Sequence, residues 1–268
     1  MYNDKAGKEH WDSVWEGGEI PAPIDPHLMG FRNAKSRRYH EYFSQVFADL
    51  ETKGLKLLEI GCATSQLLPY FAKEFGCDIY GLDYSEVGCI QSRQVLANAG
   101  VKGQIICADL FLPPKNLIDL FDVVFSFGVA EHFESTSDCL MAFSKFLKPG
   151  GKIVTIIPNM TGLDGQLQKI LNRDVFDIHV LLDAEKLALA HQVAGFSTLD
   201  CNYFISPDFS IPNLNGLDRQ LPSTQLKQFF LDNLSRLGKL ILASEESLGK
   251  FNPTQFWSPL IVYVGIKN

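Results

Sequence analysis

From residue 55 onward the chain alternates short apolar runs with amphipathic stretches, and no other feature constrains its fold as tightly. The runs at residues 55–60, 78–82, 104–107, 122–127 and 152–157 read as strands. The stretches at 66–75, 86–97 and 138–147 read as helices. Leu67, Leu68, Tyr70, Phe71 and Phe75 form a helical stripe in the first of these, and Ser85 is placed to cap the second. Val123-Val124-Phe125 suits a strand buried on both faces. The third helix should stop at Lys148-Pro149-Gly150-Gly151, which no helix continues through. A helix at 183–194, closed by Gly195, and strands at 197–205 and 260–266 complete the pattern. Strands and helices alternating at this spacing imply an α/β, doubly wound, mostly parallel sheet with helices on both faces.

Three segments fall outside the rhythm. Residues 1–54 carry Trp11, Trp15, Phe31, Tyr39, Tyr42, Phe43 and Phe47 and read as an N-terminal helical cap. The main domain would then span 55–268, with insertions at about 159–182 and 206–257. The last insertion holds an amphipathic helix with Leu226, Phe229, Phe230, Leu234, Leu237 and Ile241 on one face, expected to pack on the sheet edge or over its mouth. The net charge of −7 argues against nucleic acid or an anionic membrane as a partner. The local cluster Arg32, Lys35, Arg37 and Arg38 reads as a solvated helix face. A polar first decade and no long apolar run predict neither a signal peptide nor a membrane span. The six cysteines include no C-x-x-C pair, so no metal site is expected, and a reducing, cytoplasmic setting is.

Chemistry concentrates at the ends of the first strands. Leu57-Leu58-Glu59-Ile60-Gly61-Cys62-Ala63-Thr64-Ser65-Gln66 runs a strand through a small-residue turn into a helix, where backbone amides can approach a ligand closely. Asp83, ending the second strand, sits where a carboxylate accepts from ribose hydroxyls; Ser85 is the better helix cap. Asp109, after the third strand, can accept from the exocyclic amine of adenine, with Ala108 and Leu110 lining the ring's slot. Two acids at successive strand ends, after such a turn, make nucleoside binding the best joint explanation.

These elements resemble the class I S-adenosylmethionine-dependent methyltransferases, particularly their small-molecule branch, over about residues 55–200 and the final strand. The resemblance implies a Rossmann-like seven-stranded sheet with an antiparallel last strand. It places the methionine moiety of the cofactor, S-adenosyl-L-methionine, at Glu59, Gly61, Ala63 and Ser65, with Cys62 and Gln66 in the same turn. Ribose falls to Asp83, beside Tyr84, and adenine to Asp109. The strand-four stretch Phe121-Asp122-Val123-Val124-Phe125-Ser126-Phe127-Gly128-Val129-Ala130-Glu131-His132-Phe133 matches as well, bringing Ser126, Phe127 and Gly128 near the methionine amino group. Leu147-Lys148-Pro149-Gly150-Gly151-Lys152 matches the turn before strand five. Ala63 and Ser65 depart from the glycines expected there. A nicotinamide dehydrogenase would want a glycine where Gln66 stands, and a DNA amino-methyltransferase would carry Pro-Pro where Phe127-Gly128 stands.

The implied reaction is in-line transfer of a sulfonium methyl to a small molecule, so alignment and water exclusion matter most. Candidate catalytic residues are His132, Glu131 and Asn159; candidate acceptor contacts are His179 and Tyr203. Trp11 and Trp15, at helical i, i+4 spacing, are expected to cover the cofactor. Their faces could hold a cation, which leans the expectation toward N-methylation of an amine or guanidine. An O-methyltransferase of phenols or carboxylates, a protein or RNA methyltransferase, and a non-catalytic adenosyl-binding protein are the alternatives. A monomer or homodimer is expected.

Overall fold

Seven strands form one sheet in the order β3-β2-β1-β4-β5-β7-β6. They are β1 (Lys56–Ile60), β2 (Asp78–Asp83), β3 (Gln104–Cys107), β4 (Phe121–Phe127), β5 (Leu147–Pro158), β6 (Phe196–Phe204) and β7 (Leu260–Lys267). The computed structural model describes residues 4–16 and 18–268. β1 to β5 pair in parallel, while β7 runs antiparallel to both β5 and β6. The order reverses at β1, so the crevice beyond the carboxyl ends of β1 and β4 is the topological switch point where open α/β sheets hold ligands.

Successive side chains of the central strands enter opposite layers. Leu57, Val123, Phe125, Val154 and Ile156 join one core with Tyr39, Phe43 and Phe47 of α2 (Ala34–Val46) and its C-cap and with Leu68, Tyr70 and Phe71 of α3 (Leu67–Phe75). Leu58, Ile60, Val124, Ile153 and Ile157 join the other with α5 (Thr136–Ser144) and α8 (Ala184–Val193). A strand buried on both faces needs apolar residues at consecutive positions, as β4 has. The remaining helices are α1 (Lys8–Trp15), α4 (Glu86–Ala99), α6 (Leu163–Leu171), α7 (Arg173–Asp177) and α9 (Pro222–Leu248). Among the described residues no helix is long and apolar enough to cross a membrane.

Three expectations are corrected. The helix predicted at 138–147 ends at Ser144, because Leu147 already pairs with Phe121 and the Pro149–Gly151 turn lies within β5. The apolar face of α9 faces solvent: Leu226 is 70%, Phe229 66% and Leu237 49% exposed. The buried stripe is instead Thr224, Leu231, Gly238, Leu242 and Glu245. Contact there is set by close approach: a Cβ on Gly238 would stand 2.3 Å from the Asp208 carbonyl oxygen. Buried Glu245 is held by Ser206 and by the Phe251 amide, with Arg38 at 3.3 Å. Nor, apart from exposed Arg32, is the basic cluster a solvated face. Lys35 pairs with Asp208 at 2.7 Å, Arg37 with Glu246, and Arg38 with Glu41 and Glu245, which ties α2 to α9 and the segment before it.

Candidate functional site

A cavity of about 820 Å³ opens at the switch point. Its floor is the turn after β1, from Gly61 to Leu67, together with Leu82–Tyr84, Ala108–Phe111 and Phe127–Val129. Its roof is built from Trp11 and Trp15 of α1, the 22–39 segment, Asp208, Ser210, and Ser235, Lys239 and Leu242 of α9.

The floor's geometry follows from local chemistry. Gly61 has φ +75°, and a Cβ there would meet Val129 Cγ2 at 2.4 Å, so only glycine fits. Ser65 accepts from the Leu67 and Leu68 amides at 3.1 and 3.4 Å, opening α3. That capping role explains a serine where a glycine was expected. Glu59 is buried, bonds to Ser65, and keeps one carboxylate oxygen without a partner. Burial pushes its carboxyl up to about 8. Asp83 accepts from the Ala63 and Ser85 amides at 3.1 and 2.9 Å. Burial raises its carboxyl, and those amide bonds oppose the rise. Ser85 caps α4 through the Gly88 amide at 3.0 Å, leaving Asp83 free of that task. Asp109 is exposed and accepts from Phe111 N at 2.9 Å, and Tyr84 donates to Asp4 at 2.7 Å.

Beyond the floor lies His132, buried, with Trp11 edge-on at 4.9 Å and His179 at 4.6 Å between ring centroids. Burial pushes the His132 imidazolium down to about 3 and that of His179 to about 4, while it pushes the Glu131 carboxyl up to about 8. In the roof, burial works against the charge of Lys35, but Tyr39 and Asp208 more than restore it and hold it above the ordinary lysine range.

Residues 58–155 match the family model described as a methyltransferase domain. Over 167 residues the chain is 24% identical to tocopherol O-methyltransferase of Arabidopsis thaliana, covering 58% of this chain and 47% of that one. It is 26% identical over 141 residues to phosphoethanolamine N-methyltransferase 1 of the same plant, covering 46% and 28%. A solved structure of Haemonchus contortus phosphoethanolamine N-methyltransferase 2, in complex with S-adenosyl-L-methionine, superposes with a TM-score of 0.56 at 17% identity, over 98% of this chain and 58% of that one. The chain thus resembles methyltransferase domains over residues 58–155 and shares the fold of solved methyltransferases. It spans less than half the length of the two curated relatives.

The lining fits S-adenosylmethionine, the cofactor held in that solved structure. The cavity offers an unpartnered buried carboxylate oxygen at Glu59, a turn that admits no Cβ at Gly61, and acids at the ends of β2 and β3. Of the residues expected on the cofactor side, Trp11, Trp15, Glu59, Gly61, Cys62, Ala63, Ser65, Gln66, Asp83, Tyr84, Ala108, Asp109, Leu110, Phe127 and Gly128 all line the cavity. Ser126 does not; it is buried one step back along β4.

The acceptor-side expectations fare differently. His132 lines the cavity, and Glu131 stands buried behind it. Asn159 is fully buried and donates to the Gln255 and Ser258 carbonyls at 2.6 and 2.8 Å, so it braces the loop before β7. Tyr203 lies on edge strand β6, outside the cavity, accepting from Ala184 N at 3.4 Å. His179 is buried against His132 and does not reach the cavity. Unforeseen lining residues are Asp4, Asp25, Arg32, Lys35, Tyr39, Asp208, Ser210 and Lys239. They come from segments distant in sequence and carry no motif.

Proposed function

We propose that this chain transfers the methyl group of S-adenosylmethionine to a small molecule whose far end is anionic. When bound, the cofactor supplies an electrophilic methyl on its own leaving group, so the protein needs to orient and to exclude water. In this reading Asp83 holds the ribose hydroxyls, and Asp109 accepts from the adenine amine between Ala108 and Leu110. Glu59 faces the amino-acid ammonium, the Gly61–Gln66 turn lies along the methionine chain, and Trp11 and Trp15 cover it. The 1–54 and 206–257 segments act as caps over a domain formed by residues 55–268.

The observation that carries the acceptor assignment is the charge of the roof. Lys35 is neutralised by Asp208, and the two further cations of the roof, Arg32 and Lys239, both exposed and without an ion-pair partner among the described residues, outnumber its one further acid, Asp25. Unmatched cations favour an acceptor bearing a carboxylate or phosphate. The expected lean toward N-methylation rested on cation binding by the tryptophan faces. Trp11 and Trp15 stack on each other at 6.0 Å and 17°, too close to admit a cation between their faces. The nucleophile is then a hydroxyl or amine on an acidic molecule. Matched acceptors with and without a carboxylate, assayed by S-adenosylhomocysteine release, test this. Turnover should favour the acidic member, and Arg32→Ala or Lys239→Ala should raise its KM about tenfold, as expected for one lost charged contact. Equal turnover of neutral acceptors, with both variants unaffected, would refute the assignment.

A further inference from the structure

Behind the cavity wall, the turn after β4 and the chain leaving α7 meet at Glu131, His132 and His179. Each offers one donor atom, and the three atoms lie within 4.8 Å of one another. His132 Nδ1 lies 3.0 Å from the Ile178 carbonyl, and His179 Nδ1 lies 2.7 Å from the Val175 carbonyl. A carbonyl oxygen only accepts, so both neutral rings carry their proton on Nδ1 and keep a bare lone pair on Nε2. Glu131 is 1% exposed, and neither of its carboxylate oxygens has a hydrogen-bond partner. His132 Nε2 is 3.7 Å from Glu131 Oε1, beyond hydrogen-bond reach. His191 provides the contrast: its Nδ1 lies 2.9 Å from the Leu187 carbonyl and its Nε2 is met by Thr155 at 2.9 Å. A core histidine satisfies both nitrogens, whereas this trio leaves two imidazole lone pairs and a carboxylate unspent in one place.

We propose that Glu131, His132 and His179 form a binding site for a divalent transition-metal ion of the zinc class. Two imidazoles and one carboxylate are a common protein ligand set for such an ion, with a further position open. The carbonyls of Ile178 and Val175 orient the rings as supporting partners do in known metal sites. The Val180 amide bonds the Glu131 carbonyl at 2.7 Å, tying the two segments together. Donors around a tetrahedral ion with ~2.1 Å bonds stand roughly 3.4 Å apart, so the three side chains must draw in slightly to bind. Lys5 is the nearby cation, and its ammonium is engaged by the His179 carbonyl at 3.1 Å. Because His132 lines the cavity, the open position is nearest to whatever occupies that end. An acceptor oxygen bound there would be held by the ion and made more acidic. That role rests on the methyl-transfer reading; the site itself does not.

The full chain, stripped with a chelator, should be titrated with Co²⁺ or Zn²⁺ alone. One equivalent should bind, with the intense visible bands of four- or five-coordinate Co²⁺, displaced by Zn²⁺. Glu131→Gln and His179→Gln should each weaken Co²⁺ binding by about tenfold or more, the scale seen when even supporting partners of a metal site are lost. Melting temperature and S-adenosylhomocysteine binding report whether each variant has folded. No stoichiometric binding to the wild-type chain would overturn the proposal, as would undiminished binding by both folded variants. If the variants do not fold, the wild-type spectrum decides: the weak bands of six-coordinate Co²⁺ would overturn the site. Metal binding without S-adenosylhomocysteine binding would instead sink the methyl-transfer reading and leave the site standing.

Discussion

Glu59→Gln should uncouple cofactor binding from pH. Burial lifts the Glu59 carboxyl from 4.5 to about 8, which corresponds to about 5 kcal/mol against the charged form in the free protein. At pH 7 such a group is mostly neutral, and in the proposed reading pairing with the cofactor's ammonium requires the ionised form. Binding must therefore release nearly one proton, and affinity should climb close to tenfold per pH unit between about pH 6 and pH 8, then level off. The effect on folding has the opposite sign. The native state holds this proton more tightly than the unfolded chain, so the carboxyl costs no stability below about pH 4.5, and stability falls as pH rises toward 8. Glutamine keeps the shape and removes the charge. The variant should bind S-adenosylhomocysteine about 10- to 150-fold more weakly at pH 8, the scale of one charge-assisted hydrogen bond. Its affinity should be flat across the range, and its melting temperature at pH 8 equal to or above that of wild type. Calorimetry at about pH 6, 7 and 8, in buffers of different ionisation enthalpy, reads affinity and proton release together. A flat wild-type profile without proton release, or a folded variant that binds like wild type, would refute the reasoning.

Asp83→Ala removes the acceptor for the Ala63 and Ser85 amides and, in the proposed reading, the partner of the ribose hydroxyls. S-adenosylhomocysteine affinity should fall about 10- to 100-fold, with a measurable loss in melting temperature; unchanged affinity in a folded variant would break the ribose assignment. Gly61→Ala meets Val129 at 2.4 Å and forces a side chain onto φ +75°, so denaturant unfolding should report a loss of about 2 kcal/mol or more. Adding Val129→Ala should relieve the clash but leave about 1 kcal/mol of backbone cost; a neutral single variant would contradict the geometry.

The floor of the cavity was legible because its residues are local. Glu59, Gly61, Asp83 and Asp109 each stand at or just beyond the carboxyl end of a parallel strand, and parallel pairing in this order brings those ends to one crevice. The alternation of apolar runs was enough to specify that much. Amphipathic spacing in α9 revealed that one face is apolar, but not what covers it. A Gly238 contact and the buried Glu245 turned the helix the other way. Lys35 and Asp208 meet only because α2 and the segment before α9 fold over the same opening. Glu131 and His132 are visible as neighbours in the chain, yet nothing in the spacing joins them to His179. The backbone bond from Val180 to Glu131 and the two carbonyls that orient the rings do so. Strand-end chemistry is encoded by position along the chain, whereas the roof and the histidine pair depend on contacts between distant segments, which only tertiary packing sets.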